Sequence, residues 1–315
     1  MLTDSRGCLI TGGAGFIGSH LVDALVENGW KVTVLDNFST GRYENLTGAR
    51  RKGQVRIMKG DVRHVKTVAK ALAGVNVVFH LAALSSHGLA VKQPLLTNDV
   101  NVTGTINILR HAAKKKVERV VFASSAAVYG EPGRVPIRED AGAGALSPYG
   151  ASKLAAEKYC QAFWMTYGLD TVCLRYFNVY GPRQRAKGEA AVVPEFLSKL
   201  RRERPLVIHD RGRQVRDFVH VGDVVRATIL AARTRKASGE TINVGTGNAT
   251  SILALANRLI ELAGGPRSRK IFDKPRVGDI YRSCADTSKA KKILGFEAKI
   301  DLEQGLKALT RPAAK

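Results

Sequence analysis

Apolar residues follow two rhythms along the first half of this chain. Short apolar runs ("RGCLIT", "KVTVLD", "VRIMKGD", "NVVFHLAA", "RVVFASS", "DTVCLRYFN") alternate with stretches whose apolar positions recur every three or four residues. The runs read as strands buried on both faces, and the periodic stretches as amphipathic helices. Helices are expected over Phe16 to Glu27, with Gly29 as a stop, over about 99–114, and around Tyr149. This alternation predicts an α/β fold, a doubly wound parallel sheet of Rossmann type, with ligands at the carboxyl ends of its strands.

The second half is less regular. "VVPEFLSKL" reads as a helix, "RQVRDFVHVGDVVRATILAAR" as a strand and a long helix, and "ETINVGTG" as a strand returning to the sheet. A helix over "SILALANRLIELAGG", a polar loop over 275–286 and a final helix pair follow. The expected division is a Rossmann domain over 1–177, completed by about 217–247, and a smaller interleaved lobe from 178–216 and 248–315. No internal repeat is visible.

Composition narrows the class. The chain has 315 residues, 44% hydrophobic and 24% charged, enough for a large core and more than one lobe. No apolar run is long enough for a membrane span. "MLTDSRGCLITGG" enters a strand almost at once, so no signal peptide is expected. Cys8, Cys160, Cys173 and Cys284 are scattered without metal or redox spacing, which reads as reduced thiols in a cytoplasmic protein with no metal site. The formal charge is +23. Without an aromatic–basic platform or a DNA-binding pattern, it is assigned first to solvated surface, then to steering of an anionic small molecule, and last to nucleic acid.

Three features carry candidate chemistry. Gly12, Gly15 and Gly18 in "TGGAGFIG" follow a strand and open a helix. A turn, a close backbone approach and a helix N-terminus together suit a pyrophosphate. Asp36, at the end of the second strand, can accept from both ribose hydroxyls and would repel a 2′-phosphate, which favours NAD over NADP. Arg42 is the nearby residue that could pair with such a phosphate. Asp61, ending the third strand, is placed to meet an adenine amine. Tyr149 and Lys153 stand one helical turn apart, so the lysine charge, together with that of a bound nicotinamide, can lower a phenol pKa that is ordinarily about 10. Ser125, at the end of "VVFASS", can hold a reacting hydroxyl or relay its proton.

With these motifs in place, the chain resembles the extended short-chain dehydrogenase/reductases, in particular their nucleotide-sugar epimerases. "TGGAGFIGSHL", "VLDNFSTG", "GDV", "HLAA", "NVTGTINIL", "SSAAVYG", "SPYGASK", "LRYFNVYGPRQ", "GRQVRDFVHVGDV", "NVGTG" and "PRVGDI" carry the resemblance over nearly the whole chain. It implies Tyr149 as general base, Lys153 as its partner and Ser125 as the hydroxyl neighbour. It implies an NAD site lined by Phe16, Ile17, Asp36, Asn37, Ser39, Asp61, Val62, Leu81, Ala83, Asn101, Ser124 and Tyr176. Asn178, Val193, Arg216, Arg276 and Asp279 would hold the nucleotide diphosphate. Ser85, beside Ser86 and His87, would face the sugar. The implied reaction is oxidation at C4 of a UDP-sugar, turning of the 4-keto sugar, and re-reduction on its other face.

Two positions bear on subclass. Related 4,6-dehydratases place an acidic pair after the serine or threonine of "SSAAVYG", where this chain has Ala126 and Ala127. The resemblance implies that Ser283, a small residue just beyond the Asp279 motif, stands where pocket size is set and would admit N-acetyl groups. The resemblance also implies a homodimer through two helices per subunit. A uronate epimerase or dehydratase, and a non-catalytic nucleotide- or RNA-binding regulator, are the alternative readings.

Overall fold

The computed structural model describes residues 6–186, 192–263, 270–275 and 279–310. The six apolar runs of the first half form β1 (Gly7–Thr11), β2 (Lys31–Asp36), β3 (Val55–Lys59), β4 (Val77–His80), β5 (Arg119–Ser125) and β6 (Thr171–Tyr176). The second half adds β7 (Asn178–Tyr180), β8 (Leu206–His209), β9 (Val215–His220), β10 (Thr241–Val244), β11 (Ala249–Ser251), β12 (Lys270–Asp273) and β13 (Arg282–Ser283).

The main sheet has seven parallel strands in the order β10-β6-β5-β4-β1-β2-β3. The order reverses between β1 and β4, which opens a crevice beyond Thr11 and His80. Both faces are covered. Phe16–Glu27 and Val221–Arg233 bury Leu21, Leu25, Val224 and Ala231 in the core on one side. Gly104–Lys114 and Pro148–Tyr167 bury Ile108, Leu109, Ala156 and Cys160 on the other.

Two local expectations are corrected. The helix foreseen over about 99–114 starts earlier, at Pro94, and passes through a π-turn at Asp99–Thr103 before Gly104–Lys114. Within the segment expected to complete the first domain, β9 belongs to the second lobe, where it pairs with β7, β11 and β13. The helix Val221–Arg233 and β10 are what complete the main sheet. A strand of either lobe has the same apolar pattern, so the partner is chosen in three dimensions.

The second lobe packs Val193, Phe196 and Leu197 against Leu255, Leu259 and Leu306. Asp217, fully buried on β9, joins it to the first. Its carboxylate accepts from the Thr246 amide and hydroxyl and from the Gly247 and Ala285 amides, which offsets the cost of burying it.

Candidate active site

The crevice is built first from glycines. Gly12 has φ +70°, and a Cβ there would come within 2.8 Å of the Ala82 amide. The helix Phe16–Glu27 that follows has no side-chain cap and no acid in its first turn. Its N-terminal amides are left for an anion from outside.

Asp36 stands beside this turn. Its two oxygens accept from the Ala14 amide at 2.9 Å and the Phe38 amide at 2.8 Å. Each keeps a lone pair for a ribose hydroxyl. Burial pushes its carboxyl above the usual range, against the pull of those amides. Gly41 keeps the carboxylate uncovered, because a Cβ there would lie 2.9 Å from both oxygens. The glycine cradle and this carboxylate fit a dinucleotide with an unphosphorylated adenosine ribose.

Asp61 differs from expectation. One oxygen accepts from the Arg63 amide and Nε, the other from Arg63 Nη2 and Asn37 Nδ2, all within 3.0 Å. Arg63 holds this carboxyl well below its ordinary range. An adenine amine would have to share it with Arg63 and Asn37, and nothing in the sequence singles out Arg63.

A directed chain braces the switch point. The Ala82 amide donates to Thr11 Oγ1, which bonds His80 Nδ1 at 2.6 Å; His80 Nε2 bonds Thr105 Oγ1, which donates to the Asn101 carbonyl in the π-turn. Burial lowers the His80 pKa to about 3, so the imidazole is neutral.

Several expected contact residues turn inward. Asn101 is buried and gives its amide to the Leu84 backbone and to Ser152. Ser124 donates to Glu157 at 2.5 Å, and the Tyr176 hydroxyl meets Thr228. Val193 lies in the second-lobe core. Phe16, Ile17, Leu81 and Ala83 are half-buried, Val62 is buried, and Asn37 and Ser39 are exposed at the rim.

Tyr149, Lys153 and Ser125 converge. Ser147 caps the Pro148–Tyr167 helix by accepting from the Gly150 amide, which sets Tyr149 in the first turn. Tyr149 is buried and hydrogen-bonded to Ser125. Burial raises its phenol above the ordinary value, and Ser125 opposes the rise. Lys153 is buried over the Phe122 ring, and its ammonium donates to the Ala123 carbonyl at 2.8 Å. In the protein alone, burial therefore leaves the phenol above its ordinary value, whereas the expected lowering joins the lysine charge to that of a bound nicotinamide. Desolvation outweighs the Ser125 hydrogen bond. The His87 ring lies 5.1 Å from the Tyr149 ring, at the start of the His87–Lys92 helix capped by Ser86. Ser85 beside it is exposed.

At the other end of the crevice, Arg216 Nη2 donates to Asp279 at 2.9 Å, and Gln214 donates to the same carboxylate. Ser283 is buried on β13, in register with Arg216. Asn178 is half-buried on β7. Arg276 lies outside the described residues.

Residues 8–245 match the model of the NAD dependent epimerase/dehydratase family. The chain belongs to that family. It is 42% identical over 301 residues to a putative UDP-glucose 4-epimerase of Methanocaldococcus jannaschii, covering 95% of each chain. Its fold matches the UDP-glucose 4-epimerase of Thermotoga maritima, solved with UDP-glucose, at TM-score 0.92 and 38% identity over 97% of both chains. It matches the UDP-glucose 4-epimerase of Thermus thermophilus, solved with NAD, at TM-score 0.89 and 36% identity over 97% of this chain and 98% of that one. As a member of the epimerase/dehydratase family, the protein is an NAD-dependent enzyme acting at C4 of a nucleotide sugar. No helix among the described residues is long and apolar enough to cross a membrane.

Proposed function

We propose that the enzyme is a UDP-sugar 4-epimerase, with glucose and galactose forms as substrates and room for N-acetylated ones. The observation that carries this reading is the pairing of buried Tyr149 with half-buried Ser125, with Ala126 and Ala127 beside them. A phenol and a hydroxyl suit reversible proton transfer at a sugar hydroxyl, while the alanines offer no carboxylate for eliminating water.

In this reading Ser125 orients the 4-hydroxyl and Tyr149 takes its proton as the C4–H bond breaks, then returns a proton after the sugar has turned. NAD, when bound, supplies the hydride acceptor and donor. Gly12, Gly15, the Phe16 and Ile17 amides and Asp36 would hold it, with Lys153 on the ribose next to the reacting ring. Arg216, largely desolvated and already aimed by Asp279, would anchor the diphosphate. A firm nucleotide anchor and small residues around the sugar, Ser283 among them, suit an intermediate that must rotate.

Incubation with a panel of UDP-sugars, followed by separation of the 4-epimers, tests the reading. Tyr149→Phe should cut turnover at least about a thousandfold while NAD stays bound. A mutant with full activity overturns the mechanism. Turnover of none of the panel, together with salt-sensitive retention of RNA, would favour the regulator reading.

We further propose a homodimer through the helices 94–114 and 148–167, which expose Leu95 at 81%, Met165 at 70% and Tyr167 at 65%. Apolar side chains this open are stabilised when a second copy covers them. A monomer in sedimentation at micromolar concentration would refute it.

A further inference from the structure

The helix that carries Tyr149 and Lys153 presents a third residue on the same face one turn further on, Glu157. It is 5% exposed, and both of its carboxylate oxygens are engaged. Oε1 accepts from Ser124 Oγ at 2.5 Å and from Arg175 Nε at 3.0 Å, and Oε2 accepts from Arg175 Nη2 at 2.8 Å. Arg175 is itself held over the Tyr129 ring and donates to the Glu139 carbonyl.

The positions of these contacts matter. Ala123, Ser124 and Ser125 are the last three residues of β5. Lys153 is tied to the carbonyl of the first, Glu157 to the hydroxyl of the second, and Tyr149 to the side chain of the third. Three successive turns of one helix are thus fastened to three successive residues of one strand. The separation between Ser125 on the strand and Tyr149 on the helix is fixed by the two bonds behind it.

We propose that Glu157 is a positioning residue for the 4-epimerase reaction: through Ser124 it clamps the end of β5 to the helix that carries Tyr149 and Lys153. The inference rests on the epimerase reading. Acting through Ser124 and Lys153, Glu157 touches neither the substrate nor the cofactor.

The electrostatic part has a definite direction. Lys153 is buried, and burial disfavours its charge. The negative charge of Glu157 opposes that loss. The ionisable or charged groups facing the cluster are Arg175 and Cys173 on β6, Tyr129 and Glu139 beyond β5, His80 on β4, and Tyr149 and Cys160 on the helix itself. Arg175 donates to both oxygens of Glu157, so the effect of the carboxylate charge is read cleanly only when the guanidinium is neutralised with it.

Two variants and two readouts test the proposal. Glu157→Gln keeps an oxygen for Ser124 and removes the charge. Glu157→Gln with Arg175→Met removes it without leaving an unpaired guanidinium. Side-chain nitrogen NMR of Lys153, assigned against Lys153→Met, reads its titration directly without turnover. The pH profile of kcat on the preferred UDP-sugar reads the consequence.

Both variants should titrate Lys153 about half a pH unit or more lower, move the alkaline limb of kcat down by the same amount, and lower kcat about tenfold. KM should change less than about threefold, because no substrate contact is lost. An unchanged Lys153 titration and pH profile in a folded variant overturns the proposal. So does failure of both variants to fold, since Glu157 would then be needed for the fold and not for the tyrosine–lysine pair. A wild-type enzyme inactive on every UDP-sugar tested would sink the epimerase reading instead, and the NMR titration would still report on Glu157 and Lys153.

Discussion

Lys153 Nζ donates its hydrogen bond to the Ala123 carbonyl at 2.8 Å, so its ammonium is anchored to the end of β5. Burial brings its pKa down to about 8. The group is therefore charged below about pH 8 and loses its proton above it, long before a lysine in water. Activity that needs this ammonium should fall as pH rises through about 8. Lys153→Met should remove that limb and leave a low, flatter profile of kcat against pH. A wild-type alkaline limb persisting unchanged in Lys153→Met would assign the limb to another group.

Gly41 leaves both oxygens of Asp36 open to a ligand. Gly41→Ala would press a methyl to within 2.9 Å of them and displace the carboxylate from its ribose-facing position. Losing a charged hydrogen bond of about 1.5–3 kcal/mol corresponds to a tenfold or larger weakening of NAD binding. Titration of the apoprotein with NAD measures it. Equal affinity in mutant and wild type would remove Asp36 from the ribose site.

Ser283 is 7% exposed and sits across from Arg216 in the β9–β13 ladder. Ser283→Tyr should cut turnover of N-acetylated UDP-sugars more than that of UDP-glucose. Some loss of stability, about 1–3 kcal/mol, is expected from overpacking. Relative kcat/KM values across the panel decide it, and an unchanged ratio excludes Ser283 from sugar selection.

His80 contributes a pH-dependent stability term. Its folded pKa is lowered to about 3 from 6.5, so between those values the unfolded chain takes up a proton that the folded one does not. Stability from this group is complete above about pH 6.5 and is lost as pH falls toward 3, at up to about 1.4 kcal/mol per pH unit. His80→Gln should flatten the fall of Tm below pH 6, although its Tm near pH 7 will be lower because the Thr11–Thr105 link is broken. A mutant with the wild-type slope would place the acid sensitivity elsewhere.

Part of this site is legible without coordinates. Gly12, Gly15, Gly18 and Asp36 declare themselves because a turn, a helix start and a strand end are local features. Tyr149 and Lys153 share a face by helical arithmetic alone. The same arithmetic reaches Glu157 at the next turn, but a glutamate on a helix is usually solvated, so the spacing by itself carries no signal. Arg63 is hidden for a different reason: its bond to Asp61 depends on the path of the chain after β3. Asn101, Ser124 and Tyr176 lie in the right motifs, yet in the fold their polar atoms meet Leu84, Ser152, Glu157 and Thr228.

The amino-acid pattern alone determined the strand and helix alternation, the dinucleotide turn and the tyrosine–lysine pair, because each depends on residues within a turn or two of one another. Tertiary structure decided which sheet β9 joins, which side chains face the crevice, and how the phenol and the ammonium are charged. Those outcomes depend on burial and on partners distant in sequence, as with Lys153 and Ala123 or Arg216 and Asp279. Desolvation belongs to the packed molecule and has no local signature in the order of its residues.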